Sequence, residues 1–158
     1  AYIASFSQVD QFLTSLDDLS IDQVEAKKIN ITEQEVDKSK ARSSVVIDFV
    51  DKSLKKAIKL GVSDVHLEIY KKYARMRYRL DGVLMDQSSK DKELFDHYAA
   101  IVTRIKIMSK LDIAERRLPQ DGAITLKVED REVDFRVSIL PTSFGERVVM
   151  RILDTGSI

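Results

Sequence analysis

Residues 74–86, ARMRYRLDGVLMD, carry the pattern of a β-hairpin. Apolar side chains recur at every second position up to Leu80, and three arginines occupy the positions between them. Such alternation places one set of side chains on each face of a strand. The pair Asp81-Gly82 favours a two-residue turn, because both residues tolerate a positive φ. We therefore expect one strand before this turn and a second strand after it.

The segments on the N-terminal side of the hairpin extend the pattern. SDVHLEIY, residues 63–70, alternates again, with Val65, Leu67 and Ile69 predicted to point inward. SSVVIDFVDKSLKKAIKLG, residues 43–61, has the apolar spacing of an amphipathic helix. A serine at its start is a typical cap, and Gly61 is a typical stop.

The segments on the C-terminal side repeat this arrangement. Residues 90–115 are expected to form one helix, with Asp91 as a plausible cap. Two alternating strands follow, joined at Glu129-Asp130, and a loop ending at Gly145 leads into a last strand. The order is helix, three strands, helix, three strands. The sequence thus predicts an α+β fold, a mostly antiparallel sheet with packed helices.

The composition of the chain excludes several classes of function. The chain has 158 residues, a formal net charge of +0 and no cysteine. Zero net charge argues against a dedicated nucleic-acid-binding protein, which usually carries a basic excess. Without cysteine there is no disulfide, thiolate metal site or cysteine nucleophile. No G-x-x-x-x-G-K-[ST] or G-x-G-x-x-G motif occurs, so we expect no phosphate loop and no catalysis in this fragment.

Composition sets the start of the chain apart from the rest. Residues 1–42 are polar and acidic over much of their length, and are interpreted as a linker or a loosely attached acidic arm. Residues 43–154 form the expected α+β domain.

Two polar strand faces can be compared. Asp64, His66 and Glu68 alternate on one strand, and Arg75, Arg77 and Arg79 alternate on the next. Paired antiparallel, these strands would make a salt-bridged solvent face. Alternatively, one or more arginines meet a phosphate from another domain, because a guanidinium binds phosphate oxygens bidentately. His66 between two acids could also bind a metal, but no second histidine lies nearby, and no metal is expected.

The segment ERRLPQDG, residues 115–122, joins the second helix to the next strand. Pro119 ends any helical continuation. Gln120, Asp121 and Gly122 make the turn into the strand. Arg116 and Arg117 would follow a helix C-terminus, where the macrodipole favours cations.

Four segments together resemble the second N-terminal domain of the ATPases of bacterial type II secretion and type IV pilus assembly. They are AIKLGVSDVHLE, RMRYRLDGVL, KIMSKLDIAERRLPQDG and VDFRVSILPTSFGERVVMRILD. In that family the domain has been compared with PAS-like domains. It precedes a RecA-like ATPase domain, and six subunits form a ring. The resemblance implies that residues 1–42 are the tail of the preceding N-terminal domain plus an acidic linker. It also implies that residues 155–158 begin the connection to the RecA-like domain.

The resemblance implies roles for particular residues. Arg79, before the Asp-Gly turn, is the candidate contact to nucleotide phosphates, in the manner of an arginine finger. The candidates for an inter-domain interface are Arg77, Arg116, Arg117, Gln120, Asp121, Arg147 and Arg151. The structural signature residues are Asp64, His66, Glu68, Asp81, Gly82, Pro119, Gly122 and Gly145. The family usually has arginine where this chain has Ala123, and Lys90 or Lys92 would have to supply any second cation.

The function that the resemblance implies is a non-catalytic regulatory and assembly domain of a hexameric motor. The parent protein would bind ATP and Mg²⁺, which the fragment alone would not. Its partners would be its own and neighbouring RecA-like domains in a homohexamer and, through the preceding domain, an inner-membrane platform protein. The expected location is cytoplasmic, peripheral to the inner membrane, with no nucleic-acid partner. Two alternatives stay open: a PAS-like small-molecule sensor or interaction module, and nucleic-acid binding through the strand that carries Arg75, Arg77 and Arg79.

Overall fold

The computed structural model describes residues 33–87 and 92–154. Its helices are α1 Glu33–Ala41, α2 Ser44–Leu60, α3 Lys92–Asp96 and α4 Tyr98–Met108. Its strands are β1 Asp64–Ile69, β2 Ala74–Leu80, β3 Val83–Asp86, β4 Gln120–Val128, β5 Arg131–Thr142 and β6 Gly145–Asp154. The predicted α+β class with an antiparallel sheet is confirmed, while the PAS-like comparison stays a prediction.

The six strands form one sheet in the order β3-β2-β1-β6-β5-β4, and every neighbouring pair is antiparallel. Pairing of β1 with β6 joins the first three strands to the last three. The predicted turns are both present: Asp81 and Gly82 have φ of 51° and 82°, and Glu129 has φ of 57°. The loop expected before Gly145 is shorter than predicted, because β5 continues to Thr142.

Helix α2 begins and ends as its sequence predicts. The Ser43 side chain accepts a hydrogen bond from the Val46 N–H at 3.4 Å. Gly61 adopts a left-handed conformation with φ of 73°, and its N–H is directed at the last carbonyls of the helix. Both caps form hydrogen bonds with backbone N–H or C=O groups that a helix terminus leaves without partners.

The core lies between the helices and one face of the sheet. Its largest fully buried side chains include Leu54 of α2, Ile101 of α4, and Tyr78, Phe135 and Met150 of the sheet. Burying each large apolar side chain contributes roughly 1.5–3 kcal/mol. The Tyr78 hydroxyl satisfies its polar end by donating to the Ser53 carbonyl at 2.6 Å.

The helix predicted over residues 90–115 is wrong in extent. The described part forms two helices, α3 and α4, and α4 ends at Met108. Lys110 adopts φ of 58°, and the Leu111 N–H bonds to the Lys106 carbonyl at 2.8 Å. This is a Schellman-type ending formed without glycine. Because glycine usually marks such an ending, the sequence pattern does not show that the helix stops here. Asp91 lies outside the described residues.

Helix α1 is a feature that the sequence pattern did not predict, because it falls within the expected linker. It packs against α4, and Ala41 at its end is fully buried. Asp37 forms an ion pair with Arg116 at 3.1 Å. Residues 1–32 of the expected tail and linker lie outside the described residues, and the predicted domain boundaries stay predictions. No helix in the described ranges has the length and apolar content needed to cross a membrane.

Candidate functional site

The sheet face opposite the core is rich in arginine, and we call it the arginine face. It carries Arg75, Arg77 and Arg79 on β2, Arg147 and Arg151 on β6, and Arg136 on β5. The register sets Asp64 opposite Arg79, His66 opposite Arg77 and Glu68 opposite Arg75. The predicted pairing of acids with arginines is confirmed, and β6 adds arginines on the other side of β1.

Glu68 is the centre of the first charge cluster on this face. Its Oε1 accepts from Arg75 Nε at 2.8 Å and from Arg77 Nε at 2.7 Å. Its Oε2 accepts from Arg77 Nη2 at 2.9 Å and lies 3.3 Å from Arg147 Nη2. The Glu68 side chain is only 5% exposed. It faces away from the core, and arginines on both neighbouring strands and the Tyr70 hydroxyl contact it there.

The protonation state of this cluster follows from its geometry. Burial raises the pKa of the Glu68 carboxyl, but the hydrogen bonds from Arg77 and Arg75 outweigh burial, and the net pKa is lowered. The hydrogen bond to Glu68 in turn raises the pKa of Arg75. Glu68 is therefore a carboxylate at neutral pH, surrounded by guanidinium groups.

Asp64 is the centre of the second cluster. Its carboxylate lies 3.4 Å from Arg79 Nε and 3.2 Å from Arg151 Nε, and it accepts from Ser63 Oγ at 3.0 Å. Arg79 also donates through Nη1 to the Gly82 carbonyl at 3.0 Å. Arg79 is thus tied to its own hairpin, whereas the Arg151 side chain is 70% exposed.

His66 lies between the two clusters and is buried. Its Nδ1 is 3.5 Å from Arg147 Nη2. Burial and the charge of Arg147 lower the pKa of His66, although Asp64 and Glu68 oppose this. Within the described ranges, no group of three or more His, Cys, Asp or Glu side chains is arranged to hold a metal ion.

Arg136 is the residue on this face that the sequence reasoning missed. The register places it directly opposite Arg151. It is exposed, and no residue in the described ranges pairs with its guanidinium. The alternation in VDFRVSI could have identified it, because Phe135 and Val137 point to the core and Arg136 between them points to the polar face.

The loop at residues 109–119 forms a separate polar cluster. The Gln120 amide accepts from the Asp112 N–H at 2.9 Å and donates to the Asp112 and Glu115 carbonyls at 2.9 and 3.2 Å. Lys106 Nζ also donates to the Glu115 carbonyl, at 2.8 Å. Gln120 therefore holds the loop closed. Its proposed contact with another domain stays a prediction.

The two arginines of this loop lie apart from the arginine face. Arg116 pairs with Asp37 of α1, which packs on the helix side of the sheet. Arg117 is exposed, and the Glu115 side chain accepts from its backbone N–H at 2.8 Å. Neither follows the end of α4 directly, so the helix-dipole explanation for them is wrong. The candidate interface residues thus fall into two places rather than one.

One interface candidate, Asp121, and two signature residues, Gly122 and Gly145, have local structural explanations. Asp121 accepts from Ser138 Oγ at 2.9 Å. A Cβ on Gly122 would lie 3.0 Å from Leu111 Cδ2 and 3.0 Å from the Ser109 carbonyl oxygen. Gly145 has φ of 145°, a conformation that glycine adopts readily.

A cleft opens on the helix side, where the β1–β2 and β5–β6 turns meet α4. Its volume is about 360 Å³, and Ile69, Tyr98, Val102 and Phe144 contribute apolar walls. Glu146 also lines the cleft. The buried Lys106 Nζ donates to Glu146 Oε1 at 2.8 Å and lies 2.8 Å from Oε2. The Tyr98 hydroxyl donates to the Glu146 carbonyl at 2.6 Å.

Comparison with known proteins identifies the class to which this fold and these motifs belong. The family described as "Type II/IV secretion system protein" matches residues 39–158. The chain belongs to this family.

Curated relatives agree with this assignment. The chain is 48% identical over 118 residues to the type II secretion system protein E of Xanthomonas campestris pv. campestris, covering 75% of this chain and 20% of the relative. It is 40% identical over 153 residues to the type IV pilus assembly ATPase PilB of Pseudomonas aeruginosa, covering 96% and 26%. It is 48% identical over 109 residues to the type II secretion system ATPase E of Vibrio cholerae, covering 69% and 21%. The chain therefore spans about a quarter or less of these relatives.

Proposed function

We propose that this chain is the non-catalytic regulatory and assembly domain of a hexameric ATPase that drives type II secretion or type IV pilus assembly. In this proposal its arginine face contacts a nucleotide-binding domain. The observation that carries the proposal is the excess of guanidinium groups on that face, where five arginines surround the carboxylates of Asp64 and Glu68.

The excess of arginine over carboxylate leaves guanidinium N–H groups that can donate hydrogen bonds to a partner. A guanidinium has five N–H donors, and a carboxylate accepts about four hydrogen bonds. Three arginines contact Glu68 and two contact Asp64, so the donors outnumber the acceptors that these carboxylates supply. The carboxylates hold the guanidinium planes in place, so a contact made by them requires less ordering of side chains.

Arg79 is our proposed contact to nucleotide. Its Nε and Nη1 are held by Asp64 and Gly82, and its Nη2 has no hydrogen-bond acceptor within the described residues. A guanidinium fixed in this way can stabilise charge on a transferring phosphoryl group. Arg77, Arg147 and Arg151 would contribute to the same surface.

The remaining parts of the proposal concern the protein of which this chain would be a domain. ATP and Mg²⁺ would bind a RecA-like domain outside this chain. Six such subunits would assemble, each domain meeting its own and a neighbouring RecA-like domain. Association with an inner-membrane platform protein would place the motor at the cytoplasmic side of that membrane. These statements rest on the family resemblance, and two of the relatives are named as ATPases.

The test is ATP hydrolysis by the full-length protein that carries this chain. We expect the protein to be active, the isolated chain to be inactive, and Arg79→Ala to lower kcat at least about tenfold, as expected for loss of a transition-state contact. Arg42→Ala is the control, because it also removes one guanidinium group but at an exposed position between α1 and α2. An Arg79→Ala enzyme with the activity of the parent would place Arg79 in the structural ion pairs alone.

A second candidate function is supported by the cleft beside α4. Its volume of about 360 Å³ falls within the range of small-molecule sites, and it combines apolar walls with polar groups. A sensor function predicts that Phe144→Ala weakens binding of a ligand found by screening the isolated chain. A screen in which no ligand shifts the melting temperature would exclude this candidate.

A further inference from the structure

One row of side chains crosses the arginine face from β2 to β5. The register aligns Arg79 with Asp64, Asp64 with Arg151, and Arg151 with Arg136. Neighbouring strands are about 4.8 Å apart, so this row is roughly 14 Å long. Ala123 of β4 lies next in line. Because Ala123 is small and exposed, the outer flank of Arg136 is open.

The charges in this row do not balance. Three guanidinium groups share one carboxylate, that of Asp64, and of the three only Arg79 and Arg151 form an ion pair with it. Arg136 lies directly opposite Arg151 and has no ion-pair partner among residues 33–87 and 92–154. Like charges directly opposite on neighbouring strands destabilise a sheet. The two acids nearest Arg136 on this face, Asp134 and Asp121, hydrogen-bond to neutral side chains and form no ion pair with it. Arg136 and Arg151 are therefore a like-charge pair that a bound anion would stabilise.

The surroundings of this pair fit a protein surface better than a phosphate. Phosphate sites usually add backbone N–H groups from helix N-termini or turns. Arg136 lies on β5, which is paired on both sides. The backbone N–H groups of this strand therefore bond to the neighbouring strands and are not available to a phosphate. Leu153 is 40% exposed on the same face, two residues beyond Arg151. Arginine is enriched at protein–protein interfaces relative to the rest of the surface, and Leu153 adds apolar area beside the pair.

We propose that the pair formed by Arg136 and Arg151 is a docking point for Asp or Glu side chains on the surface of the nucleotide-binding domain. This inference rests on the proposed function and adds a contact that is separate from the phosphates and from Arg79. The pair binds the partner's carboxylates bidentately, and Leu153 supplies apolar contact beside them. A carboxylate of the partner offsets the repulsion between the two arginines, and this gain makes docking more favourable.

Arg136→Glu is the decisive variant, because it should change stability and docking in opposite directions. In the isolated chain, the introduced carboxylate faces Arg151 and replaces repulsion with attraction. We expect the melting temperature to rise by about 2–4 °C at low salt. The rise should shrink in about 0.5 M salt, where screening is stronger. Lys127→Glu is the control: Lys127 is an exposed cation on β4 that faces Glu132, so its reversal should not raise the melting temperature.

Docking is measured in the full-length protein by sedimentation of the assembled ring. Arg136→Glu should raise the protein concentration needed for half assembly at least about tenfold, and Lys127→Glu should leave it within about twofold. Affinity of the unassembled subunit for an ATP analogue should not change in either variant.

The outcomes separate this inference from the proposed function. Unchanged assembly in Arg136→Glu would overturn the docking point, whatever Arg79→Ala does to hydrolysis. Weaker binding of the ATP analogue with normal assembly would also overturn it, because the pair would then bind phosphate. Normal hydrolysis by Arg79→Ala together with lost assembly in Arg136→Glu would support the docking point and contradict the proposed role of Arg79.

Discussion

Arg77 and Glu68 form a two-point ion pair on the sheet face that the helices leave open, with Nε to Oε1 at 2.7 Å and Nη2 to Oε2 at 2.9 Å. Arg75 and Arg147 approach the same carboxylate from the two strands that flank it. A carboxylate with three guanidinium neighbours is a structural element in its own right. Removing the negative charge of Glu68 leaves these three guanidinium groups close together without the carboxylate between them.

Glu68→Gln should therefore destabilise the isolated chain by about 2–4 kcal/mol, since it removes one partner of a buried ionic cluster. Urea denaturation followed by circular dichroism would measure this. Asp48→Asn, at an exposed position of α2, is the control and should change the free energy of unfolding by less than about 0.5 kcal/mol. A loss in Glu68→Gln no larger than the control's would mean that the arginines around Glu68 find other partners.

His66 predicts a dependence of stability on pH. Burial, helped by the charge of Arg147, lowers its pKa in the folded state below the ordinary value of 6.5. The unfolded chain then binds more protons over the interval between the two pKa values, so stability is fully present above about pH 6.5 and falls as the pH drops through that interval. His66→Gln should remove this part of the pH dependence, and His97→Gln should preserve it. Unfolding curves from pH 7.5 to pH 5 would decide between these outcomes.

Gly122 should be sensitive to the smallest substitution. A Cβ there would meet Leu111 Cδ2 and the Ser109 carbonyl oxygen, both at 3.0 Å, and the carbonyl belongs to the end of α4. We expect Gly122→Ala to cost about 1–3 kcal/mol through overpacking.

Gly61→Ala is a useful comparison for that variant. Its Cβ would meet nothing within 4 Å, but the residue has φ of 73°. Its cost should be about 1 kcal/mol, from backbone conformation alone. A smaller loss in Gly122→Ala than in Gly61→Ala would show that the loop after α4 adjusts easily.

Lys106 and Glu146 should behave as a coupled pair. The Lys106 side chain is 2% exposed, and its amine contacts Glu146 and the Glu115 carbonyl. Lys106→Met leaves Glu146 with an uncompensated charge and should cost about 3–5 kcal/mol. Adding Glu146→Gln should recover part of this loss, so a double-mutant cycle should give a coupling energy above about 1 kcal/mol. Additive losses in the cycle would contradict the coupling.

Local signals in the chain determined the hairpins, the ends of α2 and the alternation of faces. Asp81-Gly82, Glu129-Asp130, Ser43 and Gly61 act on their nearest neighbours, so their effect can be read without the fold. The resemblance to secretion and pilus ATPases was also present in the sequence, and the family match confirms it. The end of α4 was not visible, because Lys110 takes the position that glycine usually marks.

Tertiary structure alone decided where the charges lie relative to one another. The pairing of β1 with β6 brings Arg147 and Arg151 to Glu68 and Asp64 from a distant part of the chain, and a period-two pattern does not say which strands become neighbours. That pairing buries Asp64, His66 and Glu68 on a face that the sequence assigned to solvent. The same topology sets Arg136 opposite Arg151 and moves Arg116 to the helix side. Alternation determines the face of a side chain, whereas its partners depend on strand order and register, which contacts distant in sequence establish.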